Sequence, residues 1–461
     1  MIGIVIWTRS FTFGSNGEIV QNADGPVFAA HPQPLYPLLS SMAKSLAGAG
    51  IGNVQLPPVT AGAGEGYSVF CLRDFNSNWG TSAELVAASV ACEDAGCPAD
   101  PDIAVRQMTG SNGPNVWDYT YTDFAGSTAG GWFSFFGQPG EAKPPMVAVD
   151  DVPDGSGNFA FGTVRANQFS TPPGVVIDDT KGALTTLASL IKLRRPRFDD
   201  GKGMWAGSTL EYLKTLQPAV CVVEYFTGTN SELFWFVHTL MGGICQVEDY
   251  PQYFSIQRMC NGYDGTQFQP GYWSWDSGNA VGFVSNPDVA TSWDWANGGT
   301  LSEQIAFNLL LAYAIGMCLP YQRFMVYADD YFPASANYPT GKGYQPFIDN
   351  LAWFSNTFAF GGFEIRWQDK DIFAYSRDGN GGEIGWSGGC LIVVNFNSFT
   401  TRFVDLQTTW QEGQAIHNYS ETGNNQDYTV GSGGILYNFE VTNNAFSNGR
   451  SYYLLAPAGV S

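Results

Sequence analysis

Three acidic residues in this chain follow apolar or β-branched runs that are typical of buried strands. Asp199 follows R-F, Glu224 follows V-C-V-V, and Asp288 closes F-V-S-N-P-D. Carboxyl groups at the ends of parallel strands collect at one edge of a barrel, where loops carry the chemistry. Two carboxyls on either side of a glycosidic bond, with a third that stabilises the charge developing during the reaction, would give a retaining glycosidase.

The neighbours of Asp199 suggest how it would be charged. Arg197 lies two residues earlier, so on a strand both side chains point to the same face. We expect the positive charge of Arg197 to lower the pKa of Asp199 and keep it ionised, as a nucleophile requires. A purely structural salt bridge is the alternative. Asp200 is a rival nucleophile, but its side chain would alternate to the other face.

The other two carboxyls have their own alternatives. Glu224 precedes Tyr225 and Phe226, and apolar surroundings favour the protonated carboxyl that a general acid needs. Glu224 at a strand end is equally compatible with a helix cap or with a pair to a lysine. Asp288, after Asn286 and Pro287, is compatible with a helix N-cap.

Composition narrows the class of ligand. The chain has 461 residues and a formal net charge of −21, with only 21 Lys and Arg. Without a basic stripe to pair with phosphate, nucleic acid and anionic membranes are not expected partners. A neutral ligand fits this charge, although acidity that serves solubility alone is an alternative. No apolar run of membrane-spanning length occurs, and low Lys with abundant Gly, Asn, Ser and Thr favours an extracellular protein whose leader is absent from this sequence.

The eight cysteines include no C-x-x-C pair of the metal-binding kind. Cys92 and Cys97 flank an acidic turn and are the best candidates for a local disulfide. Cys221, Cys245 and Cys318 lie in predicted strands or at helix ends, where we expect them to pack as small apolar groups.

The elements that must position these residues form a repeated pattern. Short apolar runs alternate with helical stretches up to about residue 345, which predicts an α/β fold built as a (β/α)8 TIM barrel. The eight predicted strands lie at 3–7, 53–58, 102–107, 196–199, 219–224, 244–247, 280–284 and 324–327.

Two further segments depart from this pattern. Residues 110–168 show no helical period and are too long for an ordinary connection, so we expect a small inserted lobe after strand 3. After the Gly361-Gly362 pair only short strands and turns follow, which predicts a C-terminal antiparallel β-sandwich. The predicted domains are therefore a barrel of 1–109 with 169–361, a lobe of 110–168, and a sandwich of 362–461.

These motifs together resemble the α-amylase-type members of glycoside hydrolase family 13, over nearly the whole chain. R-F-D-D-G-K-G-M-W is similar to the family's strand-four motif, V-V-E-Y to its strand-five motif, and F-V-S-N-P-D to its strand-seven motif. D-I-A-V-R-Q, which begins with Asp102, resembles the strand-three motif. G-Y-S-V-F resembles the stretch that supplies an aromatic platform at the cleaved sugar, which would be Tyr67.

The resemblance implies a mechanism and a substrate. Asp199 would be the nucleophile, Glu224 the acid/base, and Asp288 would bind hydroxyls of the distorted sugar. It also implies that other residues bind substrate: Tyr67, Gln107, Arg197, Lys202 and Trp205. The expected substrate is a starch-like α-glucan with α-1,4-glucosidic bonds, and the expected state is a monomer.

The sequence also departs from the family's pattern. Gln107, Pro287 and Gly203 stand where the family usually has histidines, and proline cannot donate a hydrogen bond to a sugar hydroxyl. Arg106 replaces the asparagine that commonly binds calcium, and a cation does not ligate a cation. The metal requirement is therefore unknown. A loose likeness to the chloride-binding set of animal-type amylases involves Arg197, Asn286 and Arg323.

Two alternatives to a starch hydrolase stay open on the sequence alone. The missing histidines alter the subsite of the cleaved sugar, which is compatible with a transglycosylase or with a hydrolase of another α-glucoside. A non-catalytic carbohydrate-binding protein on an amylase scaffold is the alternative from another class.

Overall fold

A computed structural model describes residues 1–7, 21–22, 25–26, 34–63, 65–105, 173–204, 206–290, 304–380, 389–397, 399–420, 426–442 and 451–460. Eight parallel strands close a barrel in which strand 1 pairs with strand 8 and each other strand with its neighbours in sequence. Barrel strands 1 to 8 are Ile2–Val5, Ile51–Pro58, Ala99–Ile103, Arg197–Phe198, Val222–Val223, Gln246–Glu248, Ala280–Phe283 and Arg323–Tyr327. The predicted barrel is confirmed.

The register of strands 3 to 6 determines which residues lie side by side where these strands end. Arg197 of strand 4 pairs with Asp102 of strand 3 and with Val222 of strand 5. Val223 of strand 5 pairs in turn with Val247 of strand 6. Phe198, Val223 and Val247 are fully buried, as is usual for parallel strands covered on both faces. The residues that follow these strands therefore leave the barrel side by side.

Helices alternate with the barrel strands. Their bounds are Leu35–Gly48, Ser82–Ala95, Pro173–Leu190, Ala206–Thr215, Asn230–Trp235, Tyr250–Gly262, Pro287–Ala290, Leu309–Gly316, Ala328–Tyr331 and Gln345–Phe358. A π-helical turn spans Phe236–Leu240, and 3-10 turns span Gly201–Gly203, Gly265–Gln267, Tyr272–Ser274 and Ser432–Gly434. None of the helices in the described ranges has the length and apolar character to cross a membrane.

Local sequence explains where one of these helices begins. Thr81 precedes Ser82–Ala95 and its side chain accepts from the backbone N–H of Glu84, whose carboxylate accepts from the N–H of Thr81. This capping box satisfies two N–H groups that have no partner within the helix. Outside the barrel, Gln21–Asn22 pairs with Gly25–Pro26, and Ala61–Ala63 pairs with Ser68–Cys71.

The C-terminal strands form two antiparallel sheets. Six strands make the larger sheet: Phe363–Gln368, Ile372–Arg377, Cys390–Asn395, Ser451–Pro457, Ala415–Asn418 and Asp427–Thr429. Arg402–Gln407 and Ile435–Val441 make the smaller one. One buried cluster contains Val393 and Leu455 of the larger sheet with Leu406 and Phe439 of the smaller. The expected C-terminal β-sandwich is confirmed.

The chain divides into two compact units. The first unit is Gly3–Glu248 with Ala334–Thr340, and the second is Met1–Ile2, Asp249–Pro333 and Gly341–Ser461. The lobe predicted for 110–168 lies outside the described residues, so the division into three domains stays a prediction.

The cysteines correct one expectation. Cys92 and Cys97 are free and buried, so the predicted disulfide is absent. The thiol of Cys97 donates to the carbonyl of Ala43 at 3.3 Å. Cys221, Cys245 and Cys318 are buried and free, in keeping with small apolar groups.

Candidate active site

Four carboxyl groups surround one guanidinium at the ends of barrel strands 3 to 6. The Nη1 of Arg197 contacts Asp102 and lies 3.4 Å from Asp199 Oδ1. Its Nη2 lies 2.9 Å from Glu224 Oε2, and its Nε lies 3.0 Å from Glu248 Oε1. We call these five residues the Arg197 cluster; all of them belong to the first unit.

The cluster is shielded from water. The side chain of Arg197 is only 4% exposed and that of Asp102 is fully buried, while Glu224 is the most accessible member at 13%. Buried charges are tolerated when they are paired, and a planar guanidinium with five donors can serve several carboxylates at once. Because the cluster is shielded from water, its carboxylates depend on the charge of Arg197 to compensate their own.

The turn that follows strand 4 holds Glu224 in place. The backbone N–H of Asp200 donates to Glu224 Oε2 at 2.8 Å, and that of Gly201 donates to the carbonyl of Glu224, also at 2.8 Å. Asp200 adopts a left-handed conformation, with φ of 45°. A Cβ at Gly201 would lie 2.1 Å from Val223 Cγ1, so only glycine fits this approach. The peptide after Asp199 therefore orients the neighbouring Glu224.

The electrostatics of Asp199 correct the expectation of a lowered pKa. Burial, together with the negative charges of Glu224 and Asp102, raises the pKa of Asp199 well above its ordinary value. Arg197 acts in the opposite direction but shares its charge among four carboxyls. The pairing of Asp199 with Arg197 was predicted correctly, whereas the sign of the pKa shift was wrong.

Asp102 and Glu248 also hold protons more tightly than exposed carboxyls. Burial raises the pKa of Asp102 to about 6 and that of Glu248 to about 7, against the opposing effect of Arg197. Asp102 Oδ1 and Glu248 Oε2 are buried and have no hydrogen-bond partner among the described residues. With one cation and four carboxyls, the cluster can hold, share and move protons.

Tyr67 joins the cluster through its hydroxyl, which donates to Asp102 Oδ2 at 2.6 Å. Its ring lies 5.6 Å from that of Trp7, and Trp7 lies 6.0 Å from Trp79. Tyr67, the predicted aromatic platform, therefore lies beside Asp102 and next to the ring of Trp7.

Lys202, predicted to bind substrate, has protein partners. Its ammonium lies 3.0 Å from Glu232 Oε1, donates to the carbonyl of Phe226 at 3.3 Å, and lies 5.4 Å from the centre of the Tyr225 ring. Lys202 thus links the turn after strand 4 to the segment that follows Glu224. Its predicted contact with substrate is untested.

Asp288 lies in the second unit, in the first turn of the short helix Pro287–Ala290 that follows strand 7. The side chain of Asn286 accepts from the N–H groups of Asp288 and Val289, at 3.0 and 2.9 Å. The capping side chain is therefore Asn286 and not Asp288.

Several predicted residues lie outside the described ones: Gln107, Trp205 and the Arg106 on which the calcium question depends.

Within the described ranges, no group of three or more His, Cys, Asp and Glu side chains is arranged to hold a metal ion. For chloride, Nε and both Nη atoms of Arg197 face carboxylates, so an anion there would meet negative charge. The chloride site stays a prediction. Asn286 and Arg323 belong to the second unit.

Glu248 is absent from the residues predicted above to form the site. Its sequence signal is the same as that of Glu224, because I-C-Q-V-E also ends an apolar run with a glutamate. Asp102 was noted only as the start of the strand-three motif, and the structure places it in contact with Arg197.

Comparisons with known proteins bear on the fold. No family model matches the sequence, and no curated protein matches it. Solved structures do match. An α-amylase from Malbranchea cinnamomea superposes with a TM-score of 0.61 at 14% identity, covering 99% of this chain and 96% of that one.

Two further solved structures are similar over nearly their full length. An Anoxybacillus α-amylase gives a TM-score of 0.65 at 13% identity, covering 100% of this chain and 98% of that one. A cyclomaltodextrin glucanotransferase with a three-domain ABC distribution gives 0.63 at 13% identity, covering 98% of both chains. The chain therefore has the fold of the α-amylases and of a glucanotransferase.

Proposed function

We propose that this chain is a retaining glycoside hydrolase of the α-amylase type, in family 13, that cleaves α-1,4-glucosidic bonds of starch-like α-glucans. The observation that carries the proposal is the Arg197 cluster, in which Asp199 and Glu224 follow adjacent strands and share one guanidinium. The fold it shares with α-amylases supports the substrate class.

The first half of the reaction uses both carboxyls. The ionised carboxylate of Asp199 attacks the anomeric carbon, and a bond from that carbon to Asp199 forms as the glycosidic bond breaks. Glu224 gives its proton to the departing oxygen. The N–H of Asp200, which donates to Glu224 Oε2 at 2.8 Å, holds this carboxyl beside the reacting bond.

The second half returns the enzyme to its starting state. Glu224, now a carboxylate, takes a proton from water while the water oxygen attacks the anomeric carbon. The bond to Asp199 breaks and its carboxylate is restored next to Arg197. Two displacements leave the sugar with its original configuration. We assign Asp288 to the hydroxyls of the distorted sugar, and Tyr67 to stacking against that sugar.

A protonated Asp199 cannot attack, which links activity to pH. Because burial and neighbouring carboxylates raise the pKa of Asp199, activity is lost on acidification at a higher pH than an ordinary aspartate would give. Arg197, 3.4 Å from Asp199 Oδ1, favours the charged form and limits this loss.

Release of reducing sugar from soluble starch tests the proposal. Glu224→Gln keeps the size and removes the proton donor, so we expect activity to fall by about 10²- to 10⁴-fold. Glu93→Gln, a change at a partly exposed glutamate paired with Arg194 and Lys192, is the control and keeps full activity. Equal inactivity of wild type and Glu224→Gln on every α-glucan tested rejects the enzyme and favours the carbohydrate-binding alternative.

A transglycosylase is the second candidate, and the glucanotransferase among the structures of the same fold favours it. The same carboxyls would serve, with a sugar hydroxyl replacing water in the second displacement. Chromatography of products from a single maltooligosaccharide separates the two: only shorter products indicate hydrolysis, and longer or cyclic ones indicate transfer. A monomeric state and an extracellular location remain proposals from the sequence.

A further inference from the structure

Glu248 is a fourth carboxyl at the candidate site, and the two-carboxyl mechanism gives it no role. It closes strand 6 and its side chain is 11% exposed. Its Oε1 accepts from Arg197 Nε at 3.0 Å, the one guanidinium nitrogen that does not face Asp102, Asp199 or Glu224. Glu248 therefore binds a guanidinium nitrogen that the other three carboxyls of the cluster do not contact.

We propose that Glu248 is a positioning residue that fixes the plane of the Arg197 guanidinium, so that Nη1 faces Asp199 and Nη2 faces Glu224. This inference rests on the proposed function, because it assigns a task within that reaction. A guanidinium is planar and rigid, so a partner at Nε determines the direction of both Nη groups.

Glu248 also controls the charge of the cluster. The described charged groups that act on it are Arg197 from strand 4, Glu224 after strand 5 and Asp102 from strand 3. Its Oε2 is buried without a hydrogen-bond partner among the described residues, an environment that favours a neutral carboxyl. Burial raises the pKa of Glu248 to about 7, so it gives up its proton near neutral pH.

Two substitutions separate orientation from charge. Glu248→Gln keeps an oxygen that accepts from Arg197 Nε but cannot ionise, whereas Glu248→Leu removes the acceptor. We expect Glu248→Leu to lower kcat by up to about 10²-fold, with a much smaller change in KM, because misplaced groups slow the chemical step. Compared with Glu248→Leu, Glu248→Gln should keep most of the wild-type kcat at acidic pH. Because glutamine cannot ionise, the step near neutral pH should be missing from its profile of kcat against pH.

Thermal unfolding against pH gives a readout that does not need activity. The wild type loses stability as pH rises from about 4.5 to about 7, and in Glu248→Gln this loss is smaller. Glu93→Gln, which also removes a carboxylate from an arginine pair, is the matched control and behaves as the wild type.

The outcomes distinguish the two proposals. Equal loss of kcat in Glu248→Gln and Glu248→Leu, with an unchanged pH profile and unchanged pH dependence of unfolding, overturns the role of Glu248. A wild type that is inactive on all α-glucans refutes the proposed function instead. The unfolding curves then still decide whether Glu248 ionises in contact with Arg197.

Discussion

Arg197 is the residue on which the candidate site depends, because it is the cation shared by three buried carboxyls and the partly buried Glu224. Burial opposes its charge, but Asp102, Glu248 and Glu224 outweigh that effect and raise the pKa of Arg197 well above its ordinary value. Arg197 therefore stays charged at neutral pH and below. Removing it would leave several carboxyls buried without a counter-charge.

Arg197→Lys tests this dependence. A lysine keeps the charge but places one ammonium where three guanidinium nitrogens now bind four carboxyls. We expect the free energy of unfolding in urea to fall by about 3 to 5 kcal/mol, the scale for breaking buried ion pairs. Arg194→Lys, at an exposed pair with Glu93, should cost at most about 1 kcal/mol. Similar losses in the two variants would show that the buried cluster contributes no more than a surface pair.

For single residues, the sequence predicts which side chains are in contact more reliably than it predicts whether their carboxyl groups are protonated. The spacing of Arg197 and Asp199 on a strand is sufficient to predict their contact. The pKa shift of Asp199 has the opposite sign to the prediction, because it depends on Asp102 and Glu224, which come from other strands. Glu248 was overlooked for the same reason, since its role depends on which strands are neighbours.

At the scale of elements, the two-residue strands 4 and 5 and the turn between Asp199 and Met204 position the carboxyls. The backbone of Gly201 approaches strand 5 so closely that its N–H donates to the carbonyl of Glu224. The glycine of D-D-G-K-G therefore fixes the distance between two strand ends. The alternation of elements was enough to predict all eight strands, although strand 3 begins three residues earlier than predicted.

Gly201→Ala tests the role of this turn. The new Cβ would lie 2.1 Å from Val223 Cγ1 and 2.9 Å from the carbonyl oxygen of Glu224, so the turn must move away from strand 5. We expect a stability loss of about 1 to 3 kcal/mol and a larger loss of starch hydrolysis, as Glu224 loses the N–H of Asp200.

Gly48→Ala is the control, because a Cβ there meets no atom within 4 Å and the residue ends a helix. It should leave both activity and stability close to those of the wild type. If Gly201→Ala behaves like Gly48→Ala, the close approach of the turn to strand 5 does not position Glu224.

At the scale of the whole molecule, the Arg197 cluster links folding to pH. The pKa of Asp102 rises from 3.8 to about 6 and that of Glu248 from 4.5 to about 7. Between the ordinary pKa of each carboxyl and its raised pKa in the folded protein, the folded protein binds more protons than the unfolded chain. A rise in pH through this range therefore favours unfolding. This contribution to stability is fully present below about pH 4 and is lost as pH rises through 6 and 7.

Asp102→Asn should reduce this dependence. Asparagine cannot ionise, so the fall in Tm between about pH 5 and pH 8 should be smaller than in the wild type. Differential scanning calorimetry at several pH values measures it, with Glu93→Gln as the variant expected to match the wild type. A wild-type Tm that rises across this range would contradict the raised pKa values.

The most direct test of the central claim is to trap the intermediate of the proposed reaction. A fluorinated α-glucosyl donor that reacts quickly but hydrolyses slowly would be incubated with the wild type, and the labelled peptide located by mass spectrometry. We predict one glucosyl adduct per chain, on Asp199, and no adduct in Asp199→Asn. An adduct on Asp200 or another residue, or starch hydrolysis that yields products of inverted configuration without any adduct, would contradict the account.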